Sequence, residues 1–580
     1  MTRRAVRVLG AAARFDYRAD GTIYVESTRT LGAYPRKLTE RLEHWAMAVP
    51  DRTFLAQRDA AGNWRHISYS QTLAKVRAIG QALLDRDLSA ARPVAILSGN
   101  SIEHGLLALA CMYTGVLYAP IAPAYSLASE EKTTLRYLWQ KLAPTLAFAA
   151  EGDVFQKALE GILDARTELV TGATFDSFTC TGVGPGVDEA HARVTPDTIA
   201  KILFTSGSTG APKGVITTQR MLCSNQQMLQ TVMGFLTDEP PVLCDWLPWN
   251  HTFGGSHNFG IALYNGGTLY IDEGKPTSKG FASTLNNLRD VATTAYFNVP
   301  KGYEMLVSAL RVDEALRQRF FSRVKMLFYA AAGLNQRIWD ELQQLAVAAC
   351  GEEILMMTGL GATESSPFAL STGSEGAASG HVGLPVPGVQ LKLVPVENKL
   401  EARLRGPNIT PGFWGSAELT QAAFDDEGFY KLGDALVFAD ADHPLKGFCF
   451  DGRLSEDFKL STGTWVSVGP LRTKLLTALL GLAYEAVLAG QDRDFVAALV
   501  FVLPGASHEA LRDALQALAL RSTGMSTRVQ RVLVLDQPPS MDLGEITEKG
   551  TINQKAVLQQ RATLVEELYA GSPRVIEICV

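Results

Sequence analysis

The stretch TSGSTGAPKGV, residues 205–215, follows the apolar run Ile202-Leu203-Phe204. Glycines and hydroxyl side chains fill it, with one cation, Lys213. Such a loop lets successive backbone N–H groups turn inward on a phosphate, while Ser, Thr and Lys add donors and charge. Two familiar phosphate loops do not fit. In the Walker pattern GxxxxGK[ST], counted from Gly207, Pro212 stands where the second glycine belongs, and Gly214 follows Lys213 in place of Ser or Thr. The dinucleotide pattern GxGxxG begins at Gly359 and Gly361 but ends on Glu364. A buried strand running into a phosphate loop of another kind places the chain among α/β folds.

Working outward, the strand-then-loop unit recurs. ARPVAILSGNS and IEHGLLALACMYTGVLYAPI read as strand, loop, helix and strand. KMLFYAAAGL and EEILMMTGLGATE each place an apolar strand before a small-residue loop. Alternating strands and helices imply a parallel sheet, whose ligands bind beyond the carboxyl ends of the strands. The loops at 205–214, 331–335 and 358–364 are therefore expected to meet at one crevice. Past Asp434 the pattern shortens into strands and turns. YEAVLAG and DFVAALVFVLP, then the amphipathic SHEALRDALQALALRS and the strand VQRVLVLD, make a small α+β unit. The expected fold is α/β: a large N-terminal domain, residues 1–454, with parallel-rich sheets and helices, and a small mobile C-terminal α+β domain, residues 455–580. The boundary falls at Leu454-Ser455-Glu456-Asp457, where Glu456 and Asp457 are expected to keep a pivot solvated.

Composition sets outer limits. The chain has 580 residues, 47% hydrophobic and 20% charged, with net charge −6. That size favours more than one core. The charge gives no general attraction to nucleic acid or anionic membrane. No run of about 18 apolar residues suggests a membrane span. The basic start, MTRRAVRVLGAAARFDYRADG, lacks the apolar centre of a secretory signal, so a cytoplasmic location is expected. Seven scattered cysteines form no CxxC pair and read as free thiols.

The loop resembles the phosphate signature of the adenylate-forming enzymes: acyl-CoA synthetases, luciferases and peptide-synthetase adenylation domains. Other blocks of that family follow in order. LPWNHTFGG resembles its histidine motif, AAAGL its adenine-side loop, TGLGATE its GxTE motif, YKLGD its GD motif and DGRLSEDFKLSTG its arginine-hinge motif. Single blocks are weak, whereas six in sequence order are specific. AYPRKLTERLEHWA, LSGNSIEHGLLALA, FKLSTGTWVSVGPLR and GEITEKGTINQKAV further resemble the bacterial feruloyl-CoA synthetases. The resemblance implies attack of a carboxylate on the α-phosphate of MgATP, then displacement of AMP by the thiol of coenzyme A. Both steps develop anionic charge, which calls for placed donors and a metal more than a protein nucleophile; no GxSxG elbow is present.

By that resemblance Thr205, Ser206, Gly207, Ser208, Thr209, Gly210 and Lys213 hold the β- and γ-phosphates. Thr363 and Glu364 reach the α-phosphate and Mg²⁺. Ala332, Gly333, Gly359, Leu360 and Gly361 border the adenine, Asp434 chelates the ribose hydroxyls, and Arg453 contacts ribose or α-phosphate. His251 borders the carboxylate. Leu360 stands where the family has a stacking aromatic. The terminal motif also departs: without a gap Thr551 falls on the adenylation lysine, and Lys549, two residues earlier, is taken as that lysine, with Lys555 as the alternative.

Trp249, Phe253, Phe259, Tyr296, Phe297, Tyr329 and Phe368 are candidates for the acyl wall, with Phe253 and Tyr329 foremost. Aromatic walls suit a flat acid better than a flexible chain. The expected partner is a small aromatic carboxylic acid, ferulate or a related hydroxycinnamate, with benzoates and fatty acids as fallback. Nucleic acid and membrane are not expected partners, and a homodimer stays open. Loading of a carrier protein, and a nucleotide-binding regulator without catalysis, are the competing readings. Pyrophosphate release followed by thioester formation separates them.

Overall fold

The computed structural model describes residues 2–127, 132–163, 166–205, 212–277, 279–376, 378, 380–522, 524–540, 543–546 and 552–578. Among the described residues, three sheets of four or more strands build the large N-terminal part. In the first, Ile199–Thr205, Tyr118–Pro120, Val94–Ile96, Leu146–Ala149 and Glu168–Thr171 run parallel, and Lys213–Thr218 closes one edge antiparallel to Ile199–Thr205. These short strands are buried almost throughout, as a sheet covered on both faces must be. One covering helix, Ile102–Thr114, shows why. Every residue but Glu103 is buried, Ser101 Oγ caps the His104 N–H, and Gly115 ends the helix in the left-handed conformation. A helix apolar all round belongs between layers.

The second sheet orders Val242–Asp245, Thr268–Ile271, Thr53–Arg58 and Trp64–Ser68. The third has eleven strands. Ala295–Asn298, Met326–Tyr329 and Leu355–Leu360 are parallel, and the chain then turns antiparallel through Leu370–Ser371 and His381–Pro385 to Phe448–Arg453, Tyr430–Phe438, Lys399–Arg405 and Gln390–Val396. The strands before the three glycine-rich loops thus lie in two sheets, not one. Ile199–Thr205 belongs to the first, whereas Met326–Tyr329 and Leu355–Leu360 belong to the third. A sequence pattern fixes strand direction locally but not which sheet a strand joins.

The smaller C-terminal domain centres on Ala483–Ala489, Val496–Val502, Val529–Leu535 and Val575–Glu577. Period-two alternation splits its strands between two layers. Ala486, Leu488, Ala498, Val500, Val532 and Val534 pack with Leu471 and Leu475 of helix Val468–Ala478 and Leu511 and Leu515 of helix His508–Leu520. Val487, Ala489, Ala497, Leu499, Phe501, Leu533 and Leu535 pack with Val557 and Leu568 on the opposite face. Among the described residues, no helix is long and apolar enough to cross a membrane.

Candidate active site

Thr205 and Lys213 face each other across the antiparallel pair that the phosphate loop joins. The loop therefore links strand to strand, which is why neither helix-initiating pattern fits. Ser206, Gly207, Ser208, Thr209 and Gly210 lie outside the described residues. The Thr205 hydroxyl is buried without a hydrogen-bond partner among the described residues. The Lys213 ammonium lies 3.6 Å from Glu364 Oε1 and 4.7 Å from the centre of the Phe413 ring. It reaches both from a side chain still 28% exposed, so it remains open to a ligand.

Glu364 sits on the single 3₁₀ turn Thr363–Ser365, directly beyond strand Leu355–Leu360. Both Thr363 and Glu364 are buried. The turn can fold this tightly only because residue 361 is glycine, since a Cβ there would stand 1.4 Å from the Pro367 carbonyl oxygen. Two buried amides brace the turn and the segment after it. Asn225 Nδ2 donates to the Phe368 carbonyl at 2.7 Å, and Asn408 Nδ2 to that of Ser365 at 2.8 Å. The Glu364 carbonyl accepts from the Thr410 N–H at 2.8 Å.

Asp434 and Arg453 are paired residues of adjacent strands, with Arg453 Nε 3.4 Å from Asp434 Oδ1. Burial pushes the Asp434 carboxyl up to about 6; Glu456 and Glu364 add to the rise and Arg453 opposes it. The Tyr430 hydroxyl is pushed far up by burial, with the Glu364 carboxylate next in effect. Lys213, Glu364, Tyr430, Asp434 and Arg453 thus share one electrostatic neighbourhood. The 330–334 loop leaves the same edge of the sheet as Leu355–Leu360, because their strands are parallel neighbours. Ala332 and Gly333 are exposed there, and Ala331 has a positive φ of 77°. Leu360 is half-buried against the main core, and Gly359 pairs with Ser371.

The histidine motif forms a π-helical turn, Phe253–Asn258. Single π turns interrupt helices frequently at functional sites. Gly255 permits it to pack, as a Cβ there would meet the Trp249 carbonyl oxygen at 2.1 Å. Lys201 Nζ donates to the Gly255 carbonyl at 2.9 Å, and Gln226 Nε2 to that of Ser256 at 2.8 Å. His251 and Phe253 are half-buried, whereas His257 is 1% exposed. The rings of Phe253 and Phe297 each lie 5.2 Å from the His257 ring, Phe328 at 5.7 Å and Phe368 at 6.1 Å. Four phenylalanines from four segments form an aromatic cage around one imidazole.

Other candidates for that wall go elsewhere. Tyr329 does not join Phe253; it packs edge-on against Trp339 at 5.8 Å, in a second cluster with Tyr296. The reason is strand alternation: Phe297 and Phe328 are directly paired and share one face, which sends Tyr296 and Tyr329 to the other. Trp249 and Phe259 meet edge-to-face within the main core, their ring centres 4.9 Å apart. Phe328 escaped notice in the sequence although the period-two rule points to it. Lys201, Asn225, Gln226, Asp245 and Asn258 carry no motif signal.

The pivot is not solvated as expected. The Asp457 side chain is fully buried, its Oδ2 2.6 Å from Lys399 Nζ and its Oδ1 accepting from the Val468 N–H at 2.8 Å. Glu456 faces Arg472 at 3.7 Å with only 18% of its side chain exposed. The carboxylates seal the junction because a lysine of the large sheet and a helix N-terminus compensate them. Lys549 and Thr551 lie outside the described residues. Lys555 is exposed on the first turn of helix Gln554–Gln560.

The profile of a family described as AMP-binding enzyme matches residues 42–414, more than half the chain. The 4-coumarate–CoA ligase-like 9 protein of Arabidopsis thaliana is 28% identical over 415 residues, covering 67% of this chain and 68% of its own. A carboxylic acid reductase of Mycobacterium marinum is 24% identical over 468 residues, 70% of this chain but only 37% of that larger protein. Among solved structures, an anthranilate CoA ligase in complex with anthranoyl-AMP matches 93% of this chain and 99% of its own, with a TM-score of 0.75 and 19% identity.

Proposed function

The chain belongs to the AMP-binding enzyme family, and on that premise we propose that it is an ATP-dependent acid–CoA ligase acting on an aromatic carboxylic acid of the hydroxycinnamate class, ferulate among them. The observation that carries the aromatic reading is the cage of Phe253, Phe297, Phe328 and Phe368. Rigid rings on several sides favour a flat acid by dispersion and edge-to-face contact. The relatives named 4-coumarate–CoA ligase-like agree with that class.

In this reading Lys213 binds the outer phosphates of ATP and Asp434 accepts from the ribose hydroxyls. Glu364 and Thr363 supply hard oxygen donors at a buried turn, a set suited to Mg²⁺ beside a phosphate. The ion, when bound, neutralises phosphate charge. Arg453, at the exposed end of its strand, faces the α-phosphate side. His251 lies near the acid's carboxylate, one turn before the cage. Lys549 serves adenylation, with release of pyrophosphate, and the small domain re-orients about Ser455-Glu456 before the thiol of coenzyme A attacks the acyl carbonyl and displaces AMP.

Pyrophosphate release with ATP and a panel of acids, followed by thioester detection on adding coenzyme A, tests the whole reading. Cinnamates should give both products. Release with cinnamates but no thioester would overturn the CoA assignment, and release with fatty acids alone would overturn the aromatic one.

A further inference from the structure

Lys213 and Glu364 belong to strands of different sheets, and one short segment ties them together. Residues 412–414 run alongside the strand that leaves the phosphate loop, Lys213–Thr218. Val215 pairs with Phe413, the Ile216 N–H donates to the Gly412 carbonyl at 3.1 Å, and the Trp414 N–H donates to that of Gly214 at 2.7 Å. The residues just before them grip the turn that carries Glu364. Asn408 Nδ2 donates to the Ser365 carbonyl at 2.8 Å, and the Thr410 N–H donates to that of Glu364 itself, also at 2.8 Å. Thr410 joins both sides through a single residue, because its hydroxyl lies 2.7 Å from the Ile216 carbonyl and 2.9 Å from that of Gly412. It is 2% exposed, so water does not compete for these bonds. The bridge ends on two charges: Lys213 Nζ is 3.6 Å from Glu364 Oε1, and the Phe413 ring of the same segment lies 4.7 Å from the ammonium.

We propose that Thr410 is a positioning residue that sets the spacing of Lys213 and Glu364 and so couples Mg²⁺ to nucleotide binding. The inference rests on the nucleotide reading of the site and adds what keeps its two charges in register. A metal–nucleotide needs the ammonium on the outer phosphates and the carboxylate on the metal at the same time. Such constellations work only when held to within about 0.5 Å. Neither strand pairing within the first sheet nor the turn of the third sheet sets that separation by itself. Thr410 sets it, with the N–H bonded to one side and the hydroxyl to the other.

Calorimetric titration of the intact protein with ATP, in Mg²⁺ and in chelator, reads this coupling without turnover. The wild type should bind ATP more tightly with Mg²⁺ present. Thr410→Val keeps the volume and the N–H but loses the hydroxyl, and should shrink that enhancement by about three- to tenfold, the scale of one buried hydrogen bond. Thr410→Ser, which keeps the hydroxyl, should restore most of it. In pyrophosphate release, Thr410→Val should raise KM for ATP and the Mg²⁺ concentration at half-maximal rate together, while KM for the acid stays unchanged. Thioester formation from supplied acyl-AMP, which uses neither the outer phosphates nor this metal, should be spared. In a double-mutant cycle with Lys213→Ala the losses in ATP binding should be less than additive, since Thr410 acts through Lys213. An unchanged Mg²⁺ enhancement in Thr410→Val, or losses spread equally over ATP, acid and acyl-AMP, overturns the inference and leaves the nucleotide reading intact. If the wild type binds no ATP with or without Mg²⁺, the nucleotide reading falls and this inference with it.

Discussion

At the residue scale, the candidate site couples opposite charges that a bound nucleotide must separate. Lys213 spends the free state beside Glu364 and over Phe413. Lys213→Ala should raise KM for ATP by roughly ten- to a hundredfold, the scale of one charge-assisted contact at about 1.5–3 kcal/mol. Unchanged initial rates at subsaturating ATP would remove this lysine from the site. Asp434 carries a pH signature. Its carboxyl titrates near 6 in the folded protein because it is buried, well above the usual carboxylate range. The folded state therefore holds this proton more tightly than the unfolded chain. Its contribution to stability is greatest in acid and is lost as pH rises through about 6. In the proposed role Asp434 accepts from the ribose hydroxyls, which needs the opposite, ionised form. KM for ATP should climb as pH falls through about 6, and Asp434→Asn should flatten that profile at weakened binding while raising the melting temperature of the free protein at neutral pH. A profile that keeps its inflection in Asp434→Asn assigns the titration to another group.

At the scale of elements, the π-helical turn is where sequence legibility divides. The motif LPWNHTFGG was visible as letters, and its glycines mark close backbone approach. Its anchors were not. Lys201 lies in a strand whose neighbours are apolar, and it reaches the Gly255 carbonyl only because two layers fold together. Burial brings the Lys201 ammonium down to about 7. Between that pH and the ordinary lysine value the unfolded chain holds more protons than the folded one, so stability should rise with pH across this window. Lys201→Met, similar in volume and uncharged, should remove the rise in a pH series of melting temperatures. It should also loosen the turn, raising KM for the acid more than KM for ATP. The aromatic wall divides the same way. Phe297 and Phe328 follow from period-two alternation once their register is known, and register is a tertiary fact.

At the scale of the molecule, the proposed junction of the two domains holds a sealed ion pair. The Lys399 side chain is 2% exposed and that of Asp457 not at all, with their charged atoms 2.6 Å apart. Lys399 Nζ also donates to the Asp451 carbonyl at 2.6 Å, so losing Asp457 leaves the lysine one partner. Losing Lys399 leaves the Asp457 carboxylate buried with the Val468 N–H alone among the described residues, a loss of about 3–5 kcal/mol, whereas replacing both by apolar groups costs far less. Lys399→Met and Asp457→Leu should each increase proteolytic cleavage near residues 454–460, and the double variant should be cut less than either. Additive cleavage in the double variant would show that the pair does not hold the junction. The small domain should also carry the adenylation lysine. Lys549→Ala should reduce acyl-adenylate formation by about a hundredfold, the effect of losing one placed donor, while thioester formation from supplied acyl-AMP is spared. Lys555→Ala, on an exposed helical turn, should do little; the reverse ranking assigns the role to Lys555.

The amino-acid sequence by itself determined the alternation of strands and loops and the family, because these depend on local pattern and on motifs in order. It also determined that Gly361 and Thr363-Glu364 would sit together, since they are neighbours in the chain. Tertiary structure alone decided that the loops spring from two sheets, that Tyr329 turns away while Phe328 turns in, and that Asp457 is buried against Lys399. Each of these depends on which distant group fills the space beside a side chain, and burial and pairing follow from that neighbour.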